Sequence, residues 1–102
     1  MKKEKVIAIS VEYAEMLKSR YPPARMPDEG LGEYQEANKA AWLSHASYMA
    51  QEIPNFIEAD RYGKAMRWLG YLQAILTMAG IVTLKQLKTM NMPEGATYDR
   101  DA

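Results

Sequence analysis

The sequence has no cysteine and only one histidine, His45. The absence of cysteine excludes disulfide bonds, thiolate metal sites and cysteine nucleophiles, and it is typical of proteins from a reducing compartment. A zinc site built from histidine and cysteine side chains needs several such ligands, and this chain offers one. The sequence therefore predicts no metal ion and no cofactor.

Net charge and long hydrophobic runs are also missing. Thirteen Lys and Arg side chains balance thirteen Asp and Glu side chains, so no domain-wide positive field favours nucleic acid or an anionic membrane surface. The apolar-rich stretch 65–84 is interrupted by polar residues and glycine, and the run Val6–Ile9 is too short for a signal peptide. We therefore expect a cytoplasmic chain that contacts neither membrane nor nucleic acid.

Length and composition predict one globular domain. The chain has 102 residues, of which 48% are hydrophobic and 25% charged, a mixture typical of a domain with its own core. Apolar residues recur at helical spacing, and proline or glycine separates the periodic segments. The sequence predicts an all-α fold, in which residues 1–102 form a single small bundle of three to four helices.

The N-terminal part contains the first predicted helix and a loop. Ser10 is a typical N-cap residue, and it predicts a helix over residues 11–20. The segment 21–32 contains three prolines and two glycines, which predicts a loop. Residues 1–9 are expected to form a flexible tail, with a short strand over 6–9 as the alternative.

The second and third predicted helices form a hairpin. The second spans residues 33–53, where apolar side chains recur at helical spacing, and Pro54 is expected to end it. Asn55 is then the N-cap of the third helix, which Gly80 closes in the position after the C-cap.

A short fourth helix follows this hairpin. Thr83 and Gln86 have the spacing of a capping box, so the helix is expected to begin at Thr83 and to end near residue 91. Residues 94–102 are polar and without periodicity, which predicts a flexible tail.

The third helix is apolar over much of its circumference. Its main stripe consists of Ala65, Leu69, Leu72, Leu76 and Ala79. A helix this apolar is expected to be central or to lie in an oligomer interface, so we expect a homo-oligomer, with a dimer as the default. On the other side Gly63, Gly70 and Thr77 recur every seven residues, which indicates close approach of another helix or of a ligand.

Charge is distributed unevenly along the chain. Residues 28–60 contain seven acidic residues and one basic residue, whereas residues 61–93 contain five basic residues and no acidic residue. One interpretation is that the two segments pair, either within the chain or between subunits. The other is that the basic segment binds a phosphate-bearing ligand such as a nucleotide. The residues expected to bind this ligand are Arg61, Lys64, Arg67 and Tyr71.

His45 is the one side chain with potential for acid–base chemistry near neutral pH. Tyr48 and Glu52 follow it at helical spacing, which allows either an acid–base pair with Glu52 or a half-exposed histidine hydrogen-bonded to a tyrosine. The sequence has no nucleophile elbow, no HExxH motif and no phosphate-binding glycine loop. It therefore predicts a protein that is not an enzyme.

Part of the sequence resembles a known group of proteins. The run KAMRWLGYLQ at 64–73, followed by AGIVTL at 79–84 and LKTMN at 87–91, resembles the C-terminal halves of small, mostly uncharacterised bacteriophage and prophage accessory proteins. Tyr71 replaces the phenylalanine usual there, and Lys88 stands where arginine is common. The resemblance implies a small helical phage protein, made early in infection, that binds a host protein or a host defence component. It implies no catalytic residues.

Three functions remain open at this point. The first is a non-enzymatic interaction protein that inhibits or redirects a host factor, with the second helix as its partner face. The residues expected to contact that partner are Glu33, Tyr34, Glu36, Trp42, His45 and Tyr48. The second is an oligomer that sequesters a nucleotide, and the third is a structural phage component.

Overall fold

The computed structural model describes residues 1–92 and is helical throughout its regular parts. It consists of α1 (Lys3–Leu17), a 3-10 turn (Glu36–Asn38), α2 (Lys39–Glu58), α3 (Tyr62–Met78) and α4 (Leu84–Asn91). This confirms the predicted all-α domain, and the described residues contain no strand. None of these helices is long and apolar enough to cross a bilayer. The predicted tail at 94–102 lies outside the described residues.

α1 begins at Lys3, much earlier than predicted. Val6, Ile9 and Tyr13 are almost completely buried, and their spacing defines an apolar stripe that continues the helix through the segment expected to be a tail or a strand. Ser10 is fully buried and donates a hydrogen bond to the Ile7 carbonyl at 2.9 Å. The predictions of a flexible segment 1–9, of a strand and of a cap at Ser10 are therefore wrong.

α2 runs through Pro54 and ends at Glu58, and it begins at Lys39 rather than at Glu33. Proline removes one hydrogen bond from a helix interior, but Ile53 and Ile57 on either side of it are buried in the core. This burial keeps the last turn helical. The predicted boundary at Pro54 and the predicted N-cap at Asn55 are wrong for this reason.

The actual turn between α2 and α3 is residues 59–61. Asp60 adopts a positive φ of 60°, which an aspartate tolerates better than most residues. The backbone N–H groups of Asp60 and Arg61 donate to the carbonyls of Ile57 and Phe56 at 3.0 and 2.7 Å. This is the Schellman arrangement that usually contains glycine, so the sequence shows no glycine signal at this helix end.

Two helix ends lie where the sequence predicts them: the end of α3, marked by a glycine, and the start of α4, marked by a capping box. Gly80 has a φ of 76°, and its N–H together with that of Ile81 closes the end of α3. Thr83 accepts from the Gln86 N–H at 3.1 Å, and the Gln86 side chain accepts from the Thr83 N–H at 2.7 Å. Both predictions are confirmed.

The core lies between α1, α2 and α3, and α4 is attached at its edge. The largest fully buried apolar side chains are Val6, Tyr13, Leu17, Leu43, Ile53, Leu69, Leu72, Ile75 and Leu76. α4 contains no buried residue. It is tied to α3 by a reciprocal amide pair, in which Gln73 Nε2 and Asn91 Oδ1 lie 2.9 Å apart and Asn91 Nδ2 and Gln73 Oε1 lie 3.0 Å apart. Gln73 Nε2 also lies 3.3 Å from the Tyr13 hydroxyl.

Within residues 1–92, no helix packs against the small residues of α3. A Cβ atom added at Gly70 would meet no atom within 4 Å, and one added at Gly63 would meet only the Arg67 side chain, at 3.5 Å. Thr77 is exposed as well. α1 and α2 contact the opposite, apolar side, so the predicted close approach is not made by a helix within residues 1–92. Close approach of a helix from another subunit or of a ligand stays a prediction.

Candidate functional site: the α2–α3 face

Aromatic side chains from α2, α3 and the segment before α2 form a surface that contains two groups of ring contacts, Tyr34–Trp42 and His45–Tyr48–Trp68–Phe56. The ring pairs are Tyr34–Trp42 at 6.3 Å, His45–Tyr48 at 5.9 Å, Tyr48–Trp68 at 6.1 Å and Phe56–Trp68 at 4.7 Å between centroids. We call this surface, together with Arg61, Lys64, Arg67 and Tyr71, the α2–α3 face. Since the rings are partly buried against the core, the face is held rigidly by the helices beneath it.

The face forms because both helices carry a second stripe beside their core stripe. On α3, Lys64, Trp68 and Tyr71 follow one another at i, i+4 and i+7, which places them on one flank. The turn at 59–61 folds α3 back along α2, so the start of α3 lies beside Phe56 and its later turns lie beside His45. The hairpin therefore brings together the residues predicted for a partner and those predicted for a ligand.

The cations at the start of α3 lie against aromatic rings and not against carboxylates. Lys64 Nζ is 4.5 Å from the Phe56 centroid and 5.4 Å from the Trp68 centroid. Arg61 Cζ is 5.9 Å from the Phe56 centroid. Such contacts stabilise a cation by about 0.5–1 kcal/mol at an exposed site, without neutralising its charge.

Pairing of the basic segment with the acidic segment fails at these positions. Within residues 1–92, no carboxylate oxygen lies within 4 Å of a side-chain nitrogen of Arg61, Lys64 or Arg67, whereas Lys3–Asp60 and Arg25–Asp28 do form ion pairs, at 3.3 and 2.8 Å. The prediction of internal pairing is wrong at these three positions, and the turn places Arg61 and Lys64 beside Phe56. Three uncompensated positive charges consequently lie on the face.

An open hollow lies in the middle of the face. It has a volume of about 350 Å³ and is lined by His45, Met49, Arg67, Trp68 and Tyr71. Met49 is buried and lies at its base, while Tyr71 is 48% exposed at its edge. Met49 and Trp68 were not predicted as site residues, because their spacing also fits core positions. Residues 1–92 contain no cluster of three His, Asp or Glu side chains able to hold a metal ion.

His45 connects the hollow to the loop between α1 and α2. Its Nδ1 accepts a hydrogen bond from the backbone N–H of Met26 at 3.1 Å, so the neutral ring carries its proton on Nε2. Burial lowers the pKa of His45 below its ordinary value, and the positive charge of Arg25 lowers this pKa further. Both effects keep the imidazole neutral near pH 7.

Neither sequence interpretation of His45 describes its surroundings. The ring stacks on Tyr48 with an interplanar angle of 27° and makes no hydrogen bond to it. Glu52 is contacted instead by Asn55, whose Nδ2 lies 3.5 Å from the carboxylate. The acid–base pair of His45 and Glu52 is therefore absent, and the histidine positions the loop.

The sequence did not reveal how the loop is held. Asn38 Nδ2 donates to the carbonyls of Leu31 and Glu33 at 3.1 and 2.9 Å, and its Oδ1 accepts from the Gln35 N–H at 2.8 Å. Gln35 and Asn38 have capping-box spacing, which is the signal that could have located the true start of α2. These contacts fix the segment that carries Tyr34.

The two predicted acidic partner residues lie at the opposite end of the face from the cations. Glu33 and Glu36 are exposed immediately before α2, and α2 extends for 20 residues, or about 30 Å. Because Arg61 and Lys64 lie beside the last turns of α2, the face has an acidic end and a cationic end. A partner that covers it must match both.

Acidification tests the contact between His45 and Met26. The native state disfavours the imidazolium because its pKa is lowered, so the native state binds this proton less tightly than the unfolded chain. The contribution of His45 to the free energy of unfolding is therefore complete above about pH 6.5, the unfolded pKa, and declines as the pH falls below it. We expect the wild-type chain to lose more stability between pH 7.5 and pH 5 than His45→Gln, measured by urea unfolding.

The His45→Gln variant is the matched control, since its amide oxygen can accept from the Met26 N–H without titrating. All other ionisable groups are common to both chains, so their contributions cancel in the difference. Equal losses of stability in the two proteins would contradict this role of His45.

Comparison with known proteins gives no match to this chain. No protein-family model matches the sequence, and neither a curated protein nor a solved structure matches it.

Proposed function

We propose that this protein is a non-enzymatic interaction protein that binds another protein through the α2–α3 face. The observation that carries the proposal is the set of three cations, Arg61, Lys64 and Arg67, that lie beside the aromatic rings of the face and have no carboxylate partner within residues 1–92. Aromatic residues and arginine are enriched at the centres of protein interfaces, where they dominate the binding energy.

The shape of the face supports a protein partner. The central hollow is open, and Tyr71 at its edge is 48% exposed. Small-molecule sites usually enclose about 70–90% of the ligand surface, which a hollow on one side of a helix hairpin does not do. A protein surface can cover the whole face, including its acidic end.

The expected class of partner comes from the resemblance of residues 61–91 to phage accessory proteins. On that basis we propose a phage-encoded protein that acts in the host cytoplasm and inhibits or redirects a host factor, such as a component of anti-phage defence. The cationic end of the face lies within the region of resemblance, whereas Glu33, Tyr34 and Trp42 lie outside it. The acidic end would therefore set which partner an individual member binds.

Charge reversal at the cationic end should abolish partner capture. We expect the immobilised wild-type chain to retain a discrete protein from a bacterial host lysate, and Lys64→Glu to lose it, because the reversed charge repels a surface that complements the face. The measurement is quantitative mass spectrometry of the retained proteins. We expect at least about a tenfold loss, equivalent to 1.4 kcal/mol.

Lys85→Glu provides the matched control for this experiment. It makes the same change of charge on α4, which is tied to the side of α3 opposite the face. We expect it to retain the protein as the wild type does. Equal capture by wild type and Lys64→Glu, with both chains folded by circular dichroism, would overturn the proposed face.

A second candidate, sequestration of a nucleotide by an oligomer, is favoured by one observation. Arg67 and Tyr71 meet at the hollow together with His45, so a phosphate and a base could each find a contact there. We propose a homo-oligomer in this case, because Tyr71 and Met78 leave apolar surface of α3 exposed and a second copy could enclose the hollow. A purely structural phage component is supported by no feature of the face.

A further inference from the structure

We propose that the α2–α3 face binds an acidic peptide segment of the partner between its hollow and its cationic end, with a carboxylate on Arg67 and His45 and a neighbouring bulky apolar side chain against Met49 and Trp68. This inference rests on the proposed function and names the chemistry that the face recognises. It follows from four properties of the hollow and its surroundings.

The polar groups around the hollow are almost all hydrogen-bond donors. His45 Nδ1 already accepts a hydrogen bond from the Met26 N–H. The remaining polar group of this ring is therefore the hydrogen-bond donor Nε2–H. Arg67 contributes a guanidinium, which has donors only, and neither side chain has a further hydrogen-bond partner within residues 1–92. A site with unsatisfied donors and no carboxylate favours an anionic acceptor, and a carboxylate fits a guanidinium in a bidentate geometry.

The positive charge extends along the helix and does not converge on one point. Lys64 and Arg67 are three residues apart on α3 and Arg61 precedes them by one turn, so the three charges cover about 9 Å of helix. Residues 61–92 contain no acidic residue to offset them. Two or three carboxylates spaced along a peptide match this arrangement better than a single compact anion.

The hollow also has an apolar base. Met49 is 4% exposed beneath it, and Trp68 forms one wall. Burying a large apolar side chain favours binding, and methionine adapts to side chains of different shape. An acidic segment that also carries one bulky apolar residue would therefore use both the donors and the base of the hollow.

The aromatic rings beside Lys64 are covered by other side chains, which disfavours binding of a nucleic acid there. Single-stranded nucleic acids bind by stacking bases on open ring faces. Here Phe56 packs edge-to-face on Trp68, with an interplanar angle of 81°, and Lys64 lies over both rings. Tyr71 is the one aromatic residue of the face that is more than a third exposed. The covered rings and the balanced total charge of the chain favour a peptide.

Selection from a library of random dodecapeptides displayed on phage tests this inference. The bait is the full-length wild-type chain, and peptides that also bind Arg67→Glu are removed at each round. We expect the enriched peptides to share two or more Asp or Glu residues next to a bulky apolar residue. A fluorescein-labelled consensus peptide should then bind the wild type in an anisotropy titration, and Arg67→Glu and Lys64→Glu should weaken it at least about tenfold. Lys85→Glu should leave its Kd unchanged.

Two further probes separate this inference from its competitors. Excess ATP and a labelled twelve-nucleotide oligothymidylate are each titrated against the wild type under the same conditions, and we expect neither to bind more tightly than the peptide. Arg67→Lys should bind the peptide more weakly than the wild type and more tightly than Arg67→Glu, because a lysine keeps the charge but not the bidentate geometry. Every protein in this graded series is expected to fold, so the comparison of peptide affinities does not depend on an unfolded variant.

Several outcomes would overturn the inference. These are failure to enrich any peptide, enrichment of peptides without acidic residues, a Kd unaffected by Arg67→Glu, and tighter binding of ATP or oligothymidylate. Loss of lysate capture in Lys64→Glu together with a non-acidic consensus would leave the proposed function standing and reject the acidic segment. An acidic consensus together with no protein captured from the lysate would leave the acidic segment standing and reject the proposed function.

Discussion

Replacing Leu72 with alanine should lower the free energy of unfolding by about 2–5 kcal/mol, the range for leucine removed from a closely packed core. Leu72 is 0% exposed and lies in the central stripe of α3, between α1 and α2. Its truncation removes apolar contacts and leaves a cavity that three packed helices cannot readily fill. The measurement is urea unfolding followed by circular dichroism, with the slope of the transition checked for two-state behaviour.

Leu84→Ala makes the same chemical change at a position that is 63% exposed on α4. Because little is buried there, we expect a change of less than about 0.5 kcal/mol. A similar loss of stability in both variants would mean that the surface around Leu84 is covered in solution, and it would contradict the assignment of the core to α1, α2 and α3.

Asn91→Ala should release α4 while leaving the rest of the bundle intact. α4 contains no buried residue, and the amide pair between Asn91 and Gln73 is its principal polar contact with α3. Loss of two hydrogen bonds of about 0.5–1.5 kcal/mol each would favour local opening by about 1–3 kcal/mol. Amide protection in α4 should then fall by about 5- to 150-fold.

Hydrogen–deuterium exchange resolved to peptides of α2 and α4 measures this effect. Thr89→Ala is the control, since the Thr89 hydroxyl bonds to the Lys85 carbonyl within α4 and not to α3. We expect protection of α2 to be unchanged in both variants. Equal exchange of α4 in the wild type and Asn91→Ala would show that apolar contacts, and not the amide pair, hold this helix.

The helix ends show which parts of this fold a sequence encodes locally. Gly80 and the Thr83 capping box each act through neighbouring backbone groups, and both end up where the sequence places them. Pro54 depends on the core instead. The helix continues through the proline because of buried isoleucines on both sides, and it ends at Glu58, two residues before Asp60, which is not a typical stop signal. Tertiary packing overrides local preference at Pro54.

The sequence predicts residues of the candidate site separately, but it does not predict that they lie together. His45 was assigned to the partner residues and Arg67 to the ligand residues, and the hairpin places both at one hollow. The predicted pairing with residues 28–60 is absent at Arg61, Lys64 and Arg67 because a charge count contains no information about where the turn lies. Pairing between subunits stays a prediction. A shift of that turn from Pro54 to Asp60 moves α3 by several residues along α2 and changes which side chains meet.

The connection lengths of the bundle bear on how it folds. α2 and α3 are joined by residues 59–61, whereas α1 is connected to α2 by residues 18–38, which include the 3-10 turn. Closing the short connection costs less chain entropy than closing the long one, and contacts between sequence neighbours form early. The α2–α3 hairpin, which carries the α2–α3 face except for Tyr34, is thus the most locally encoded pair of helices within residues 1–92. α1 supplies further buried side chains to the core beneath it, among them Val6, Tyr13 and Leu17.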